Sequence, residues 1–171
     1  MNLDAAEVVR ANLQQLLDEL VVPFTHKLYG WDALSAMGDN AFPPRPCIII
    51  EMFQAQRSLG YARKAHRRNQ LADDTTRLGI RILSRYRVDN PATGKQLEGI
   101  GAEHQSAVDF VRGFVTQTHS LTIPAALEAR LGSRPVGMRP ESPMEGGAGT
   151  DSEGFRHFFY VVVDNMEVLC S

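Results

Sequence analysis

The run from Phe155 to Leu169, FRHFFYVVVDNMEVL, is the densest apolar and β-branched stretch of the chain, and the remaining elements have to be arranged around it. In an extended strand Phe155, Phe159, Val161 and Val163 point to one side and Phe158, Tyr160 and Val162 to the other. A strand that is apolar on both faces needs cover above and below, which predicts an interior place in the sheet rather than an edge.

Two helices and two further strands are legible around it. Asp4 is a good N-cap, and Val8, Leu13, Leu16, Leu17 and Leu20 recur at helical spacing, so Asp4 to about Leu20 reads as an amphipathic helix ended by Pro23. A second helix is predicted from about Leu97 to His119, where Ala102, Ala107, Val108, Phe110, Val111, Phe114 and Val115 form a stripe. Pro124 can open a short third one in IPAALEARL. The β-branched run Cys47 to Phe53 reads as the first strand. Thr75 to Val88 reads as the second, with Leu78, Ile80, Ile82, Tyr86 and Val88 on one face and Arg77, Arg81, Arg85 and Arg87 on the other.

Helix, strands, helix, strands without regular βαβ alternation predict an α+β domain, a mainly antiparallel sheet with two main helices packed on it. The length of 171 residues fits one domain, 1–171, with a full core. Three stretches read as connections. Gly30 to Pro46 is rich in Gly and Pro, with Trp31 expected to plug a core edge. Gln54 to Asp74 is too polar for a core helix and too long for a tight turn, hence a long basic arm or projecting ribbon between the first two strands. The Gly-, Pro- and Ser-rich 132–154 reads as a flexible loop, holding at most a short strand near Val136.

Motifs for chemistry are absent. The five histidines, His26, His66, His104, His119 and His157, lack the i, i+3 or i, i+4 pairing that builds a metal site on a helix. Glu103, His104 and Asp109 are explained by solvated surface charge, Ser106 and Ser120 have no nucleophile elbow, and GKQLEGIG matches no phosphate or dinucleotide loop. Cys47 and Cys170 have no metal spacing and read as reduced thiols. The expectation is a protein that is not an enzyme, with no catalytic residue, no metal and no cofactor. No membrane-length apolar run or secretion signal is visible, which predicts a soluble, intracellular product with no membrane partner.

Charge is the most informative remaining feature. Residues 57–87 hold nine of the 18 basic residues and only two of the 20 acidic ones, so that segment is formally +7 and the rest of the chain −9. Arginine outnumbers lysine 15 to three, and its rigid guanidinium suits paired carboxylates or phosphates at an interface. Arg57, Arg63, Lys64, Arg67 and Arg68 of the arm, with Arg77, Arg81, Arg85 and Arg87 of the strand, are therefore the candidate partner-binding residues. The arm should stay extended by self-repulsion until an acidic surface neutralises it. An acidic protein surface fits better than nucleic acid, because only Tyr61 and Tyr86 interleave for base stacking and the overall balance is −2. A nucleic-acid-binding module using the arm and the Arg face is the alternative.

The order of elements resembles phage tail terminator and related neck or tail-completion proteins. The matching stretches are DAAEVVRANLQQLLDEL, the approach FPPRPCIIIEM, the long arm, RLGIRILSRYRV, AVDFVRGFV and the closing FRHFFYVVVDNMEV. The resemblance implies a structural virion protein, made in the host cytoplasm, that forms a ring, six copies in that family. Such a ring caps the tail tube and joins the tail to the head. The implied partners are further copies of the chain and tail tube, sheath or neck and connector proteins, with genomic DNA only passing through. The basic arm and the loop before the last strand depart from a compact terminator.

Overall fold

The computed structural model describes residues 3–20, 24–30, 43–57, 69–85, 100–117, 120–128, 134–151 and 153–170. It is an α+β fold. Helix α1 (Leu3–Asp18) is followed by β1 (Lys27–Tyr29), β2 (Cys47–Arg57), β3 (Asn69–Arg85), α2 (Ile100–Gln117), the single turn α3 (Ala125–Glu128), β4 (Arg134–Thr150) and β5 (Gly154–Cys170). The five strands form one sheet in the order β1-β2-β3-β5-β4, antiparallel throughout except for the short parallel pair β1–β2.

Strand β5 lies between β3 and β4, the interior position its two apolar faces require. Register carries its alternation across the sheet: Ile50 stands opposite Ile80 and Ile80 opposite Phe159, while Leu78 faces Val161 and Thr76 faces Val163. These rows, with Ile48, Ile82 and Met138, are buried against Ala5, Ala6, Val9, Leu13 and Leu17 of α1 and Ala107, Val108, Val111, Phe114 and Val115 of α2. Both main helices thus cover one face. The opposite face buries Phe158 and Val162 of β5 together with Cys47, Ile49 and Leu83.

Three boundaries differ from the sequence reading. First, α1 begins at Leu3, so Asp4 is inside its first turn rather than its cap. Second, 134–150 is not a flexible loop but a 17-residue strand paired with β5. Its composition hides it: an outermost strand leaves one row of N–H groups without a ladder partner, so Pro135, Pro140 and Pro143 are tolerated. Register breaks at Pro135/Gly137, Pro140/Glu145 and Gly146/Gly149 absorb the rest, with Gly147 at a φ of 66° that a side chain would disfavour. Third, the ends of the supposed arm are sheet. β2 runs on to Arg57, which pairs with Asp74, and β3 starts at Asn69, which pairs with Cys170. Residues 58–68, like Trp31, the turn at Asn90 and the strand end at 86–88, lie outside the described residues.

Strands β3 and β5, at 17 residues each, are roughly 55 Å long at about 3.3 Å per residue. Helices α1 and α2, at 16 and 18 residues, are only about 24 and 27 Å. Neither helix reaches more than about half the sheet's length.

Candidate interaction site

The arginine face of β3 is present, but its charge is largely met at home. Arg77 donates two hydrogen bonds to the Glu141 carboxylate on β4. Arg81 pairs with Glu51 of β2 at 3.1 Å and lies over the Phe158 ring, 5.4 Å from its centroid. Strand geometry brings these together: Glu51 opposes Gly79, Arg81 opposes Phe158, and all stand on the face away from the helices. Arg85, at the end of β3, is exposed. The backbone of Arg57 closes β2. Arg63, Lys64, Arg67, Arg68 and Arg87 lie outside the described residues. Of the nine candidates, the structure therefore brings Arg77, Arg81 and Arg85 onto one face of β3, and pairs Arg77 and Arg81 each with a glutamate of its own chain.

A further arginine, Arg45, secures the turn into β5. Arg45 Nη2 donates to Asp151 Oδ2 at 2.5 Å and Nη1 to Oδ1 at 3.0 Å, while Asp151 Oδ1 also accepts from the backbone N–H groups of Glu153 and Gly154. Those donors hold the Asp151 carboxyl down at about 2, the Arg45 hydrogen bond being the largest cause.

Three histidines that look scattered in sequence converge under α2. Ser84 continues the apolar face of β3, so its side chain enters the helix-covered layer. Its Oγ lies 2.7 Å from His26 Nε2 and 2.6 Å from His104 Nδ1, so one ring donates to the hydroxyl while the other accepts from it. His104 stacks on Phe155, and His157, on the same face of β5, is 6.4 Å away between ring centroids. His157 Nε2 is 3.4 Å from Glu145 Oε2, an electrostatic contact without hydrogen-bond alignment, and Arg112 Nε closes the row on Glu145 Oε1 at 2.5 Å. Burial, and then the nearby His104, pushes His26 down to about 4. Burial also lowers His104 and His157. With Ser84 and His26 only 4% exposed, the hydroxyl is held inside the protein and offers no face to a substrate. The cluster can store a charge change with pH. No spacing announces it; the one signal was strand parity, which put Ser84 and His157 on apolar faces.

On the helical side, Leu16 and Leu20 were expected in the buried stripe of α1 but are 39% and 38% exposed. They line a groove of about 650 Å³ with Glu19, Asp109, Phe110 and Gly113, between the C-terminal halves of α1 and α2. No cation meets Asp18 or Glu19 among the described residues; each accepts a hydrogen bond from a glutamine amide, Gln14 or Gln15. The cations of the two helices are engaged: Arg10 with Glu7, Arg112 with Asp109 and Glu145.

Among the described residues no cluster of three His, Cys, Asp or Glu is placed to hold a metal ion, and no helix is long and apolar enough to cross a membrane. Compared with known families and curated proteins, the sequence matches no family model and no individual protein.

Proposed function

We propose that the chain is an assembly subunit, a structural virion protein that forms a ring of about six copies closing a tail tube and joining it to the head or neck, as the resemblance of its element order to tail terminators implies. The observation that carries the reading is a sheet about twice as long as the helices that build its core. A small domain gains nothing in its own core from strands that outrun their helical cover, whereas a subunit that must span to a neighbour does. The edges agree. The outer strand β4 is broken by three prolines and three register shifts, which guard it against indiscriminate strand pairing and favour contacts through side chains. The uneven charge supports a ring as well, since head-to-tail contacts need two different, complementary surfaces. The glutamate partners of Arg77 and Arg81 weigh against the nucleic-acid alternative, because paired guanidiniums release few counterions from nucleic acid.

Negative-stain electron microscopy of the purified protein, alone and mixed with tail-tube protein, tests this. Closed rings of uniform diameter are expected. Single subunits under both conditions would remove the proposal, and tight, saturable duplex DNA binding at moderate salt would replace it with the nucleic-acid reading.

A further inference from the structure

The two exposed leucines and the acidic groove beside them have a complement in the same sequence. The stretch Arg57 to Arg68, RSLGYARKAHRR, holds five formal positive charges, no acidic residue, and the apolar Leu59 and Tyr61. We infer that the groove between α1 and α2 is the docking site for a second copy of this chain, which lays its 57–68 segment there. The inference rests on the ring reading and names the contact that would build it.

Three features of the groove fit that occupant. Leu16 on α1 and Leu20 just past its end are large side chains left in water while Val8, Val9, Leu13 and Leu17 of the same helix are buried, and Phe110 lies half-buried beside them, packed on Phe24 with centroids 5.4 Å apart. Helical geometry sets Gly113 in the groove wall, and a methyl group built there would meet nothing within 4 Å, so the groove is open where most helices carry a side chain. Glu19 on the rim meets no cation among the described residues, with Asp18 next to it at the end of α1, while Asp109 on the α2 side is paired with Arg112. Apolar anchors beside uncompensated negative charge, met by a partner with apolar residues between positive charges, is the arrangement that steers encounter and fixes register. Groove and segment are different stretches of the chain, so each copy can give one and receive one, the head-to-tail condition for a closed ring.

Two variants separate this contact from the ring reading. Gly113→Leu fills the groove from a position with free space and keeps helix propensity, so the fold should survive. The quadruple variant Arg63→Glu, Lys64→Glu, Arg67→Glu, Arg68→Glu reverses the segment and leaves the groove intact. Thermal melting checks both, and Leu16→Ser with Leu20→Ser replaces the first variant if it melts early. Each variant alone should self-associate at least about thirtyfold more weakly than the natural chain in sedimentation velocity, the effect of losing one desolvated anchor. Mixed one to one, they should form a heterodimer, because one intact groove meets one intact segment. Absence of the heterodimer, or undiminished self-association of Gly113→Leu, overturns the inference and leaves a ring built by other contacts standing. A heterodimer from the mixture together with natural chain that forms only open oligomers upholds the docking and sinks the closed ring.

Discussion

Lowering the pH from 7 to 5 should destabilise the protein through His26, and the structure sets the size. His26 is buried with its Nε2 committed to Ser84, and its folded pKa is about 4 against 6.5 for an ordinary histidine. Between those values the unfolded chain binds a proton that the folded one refuses, so stability is full above pH 6.5 and is lost as pH falls toward 4. Evaluated from the two pKa values, the loss between pH 7 and pH 5 is about 2 kcal/mol. His104 and His157 are shifted in the same direction, so they add to it. Asp151, ordinarily near 3.8 and held at about 2, starts to contribute only below about pH 4, outside this window. Urea unfolding at pH 7, 6 and 5, in the natural chain and in His26→Gln, is the assay. Glutamine can keep one hydrogen bond to Ser84 but cannot titrate, so the variant should be less stable at pH 7 and its loss on going to pH 5 smaller by about 2 kcal/mol. An equal pH dependence in both proteins would refute the assignment of the buried, neutral state to His26.

Other substitutions have outcomes fixed by packing. Gly154→Ala would place a methyl group 1.8 Å from the Ser84 carbonyl oxygen, so the β3–β5 pairing must part locally and urea unfolding should show a loss of at least about 4 kcal/mol. Phe159→Ala empties the centre of the helix-covered face and should cost about 3 to 5 kcal/mol in the same measurement. Gly113→Ala should have the opposite sign, raising stability by about 0.5 to 1 kcal/mol, because the methyl meets nothing and the helix loses a flexible residue.

Periodicity made the frame of this fold legible. Alternation placed β5 inside the sheet and divided β3 into an apolar face and an arginine face, and the stripes of α1 and α2 name most of the helical core. β4 escaped because proline and glycine signal turns when their neighbours in space are unknown, and only its pairing with β5 shows them to be an edge device. β1 escaped because three residues carry no period. The pairing of Arg81 with Glu51 depends on the register of β2 against β3, and the histidine cluster on β3, α2, β5 and the residue before β1 being brought together by the fold. Leu16 and Leu20 matched the stripe and are nevertheless exposed, since a periodic pattern shows which residues share a face but not where the cover ends.

Native mass spectrometry of the purified chain across a range of protein concentrations reads assembly most directly. One dominant closed species is expected at a fixed multiple of the 19.0 kDa chain, six copies by the resemblance, that dissociates as ionic strength rises. A monomer at every concentration, with no larger species when tail-tube protein is added, would contradict it.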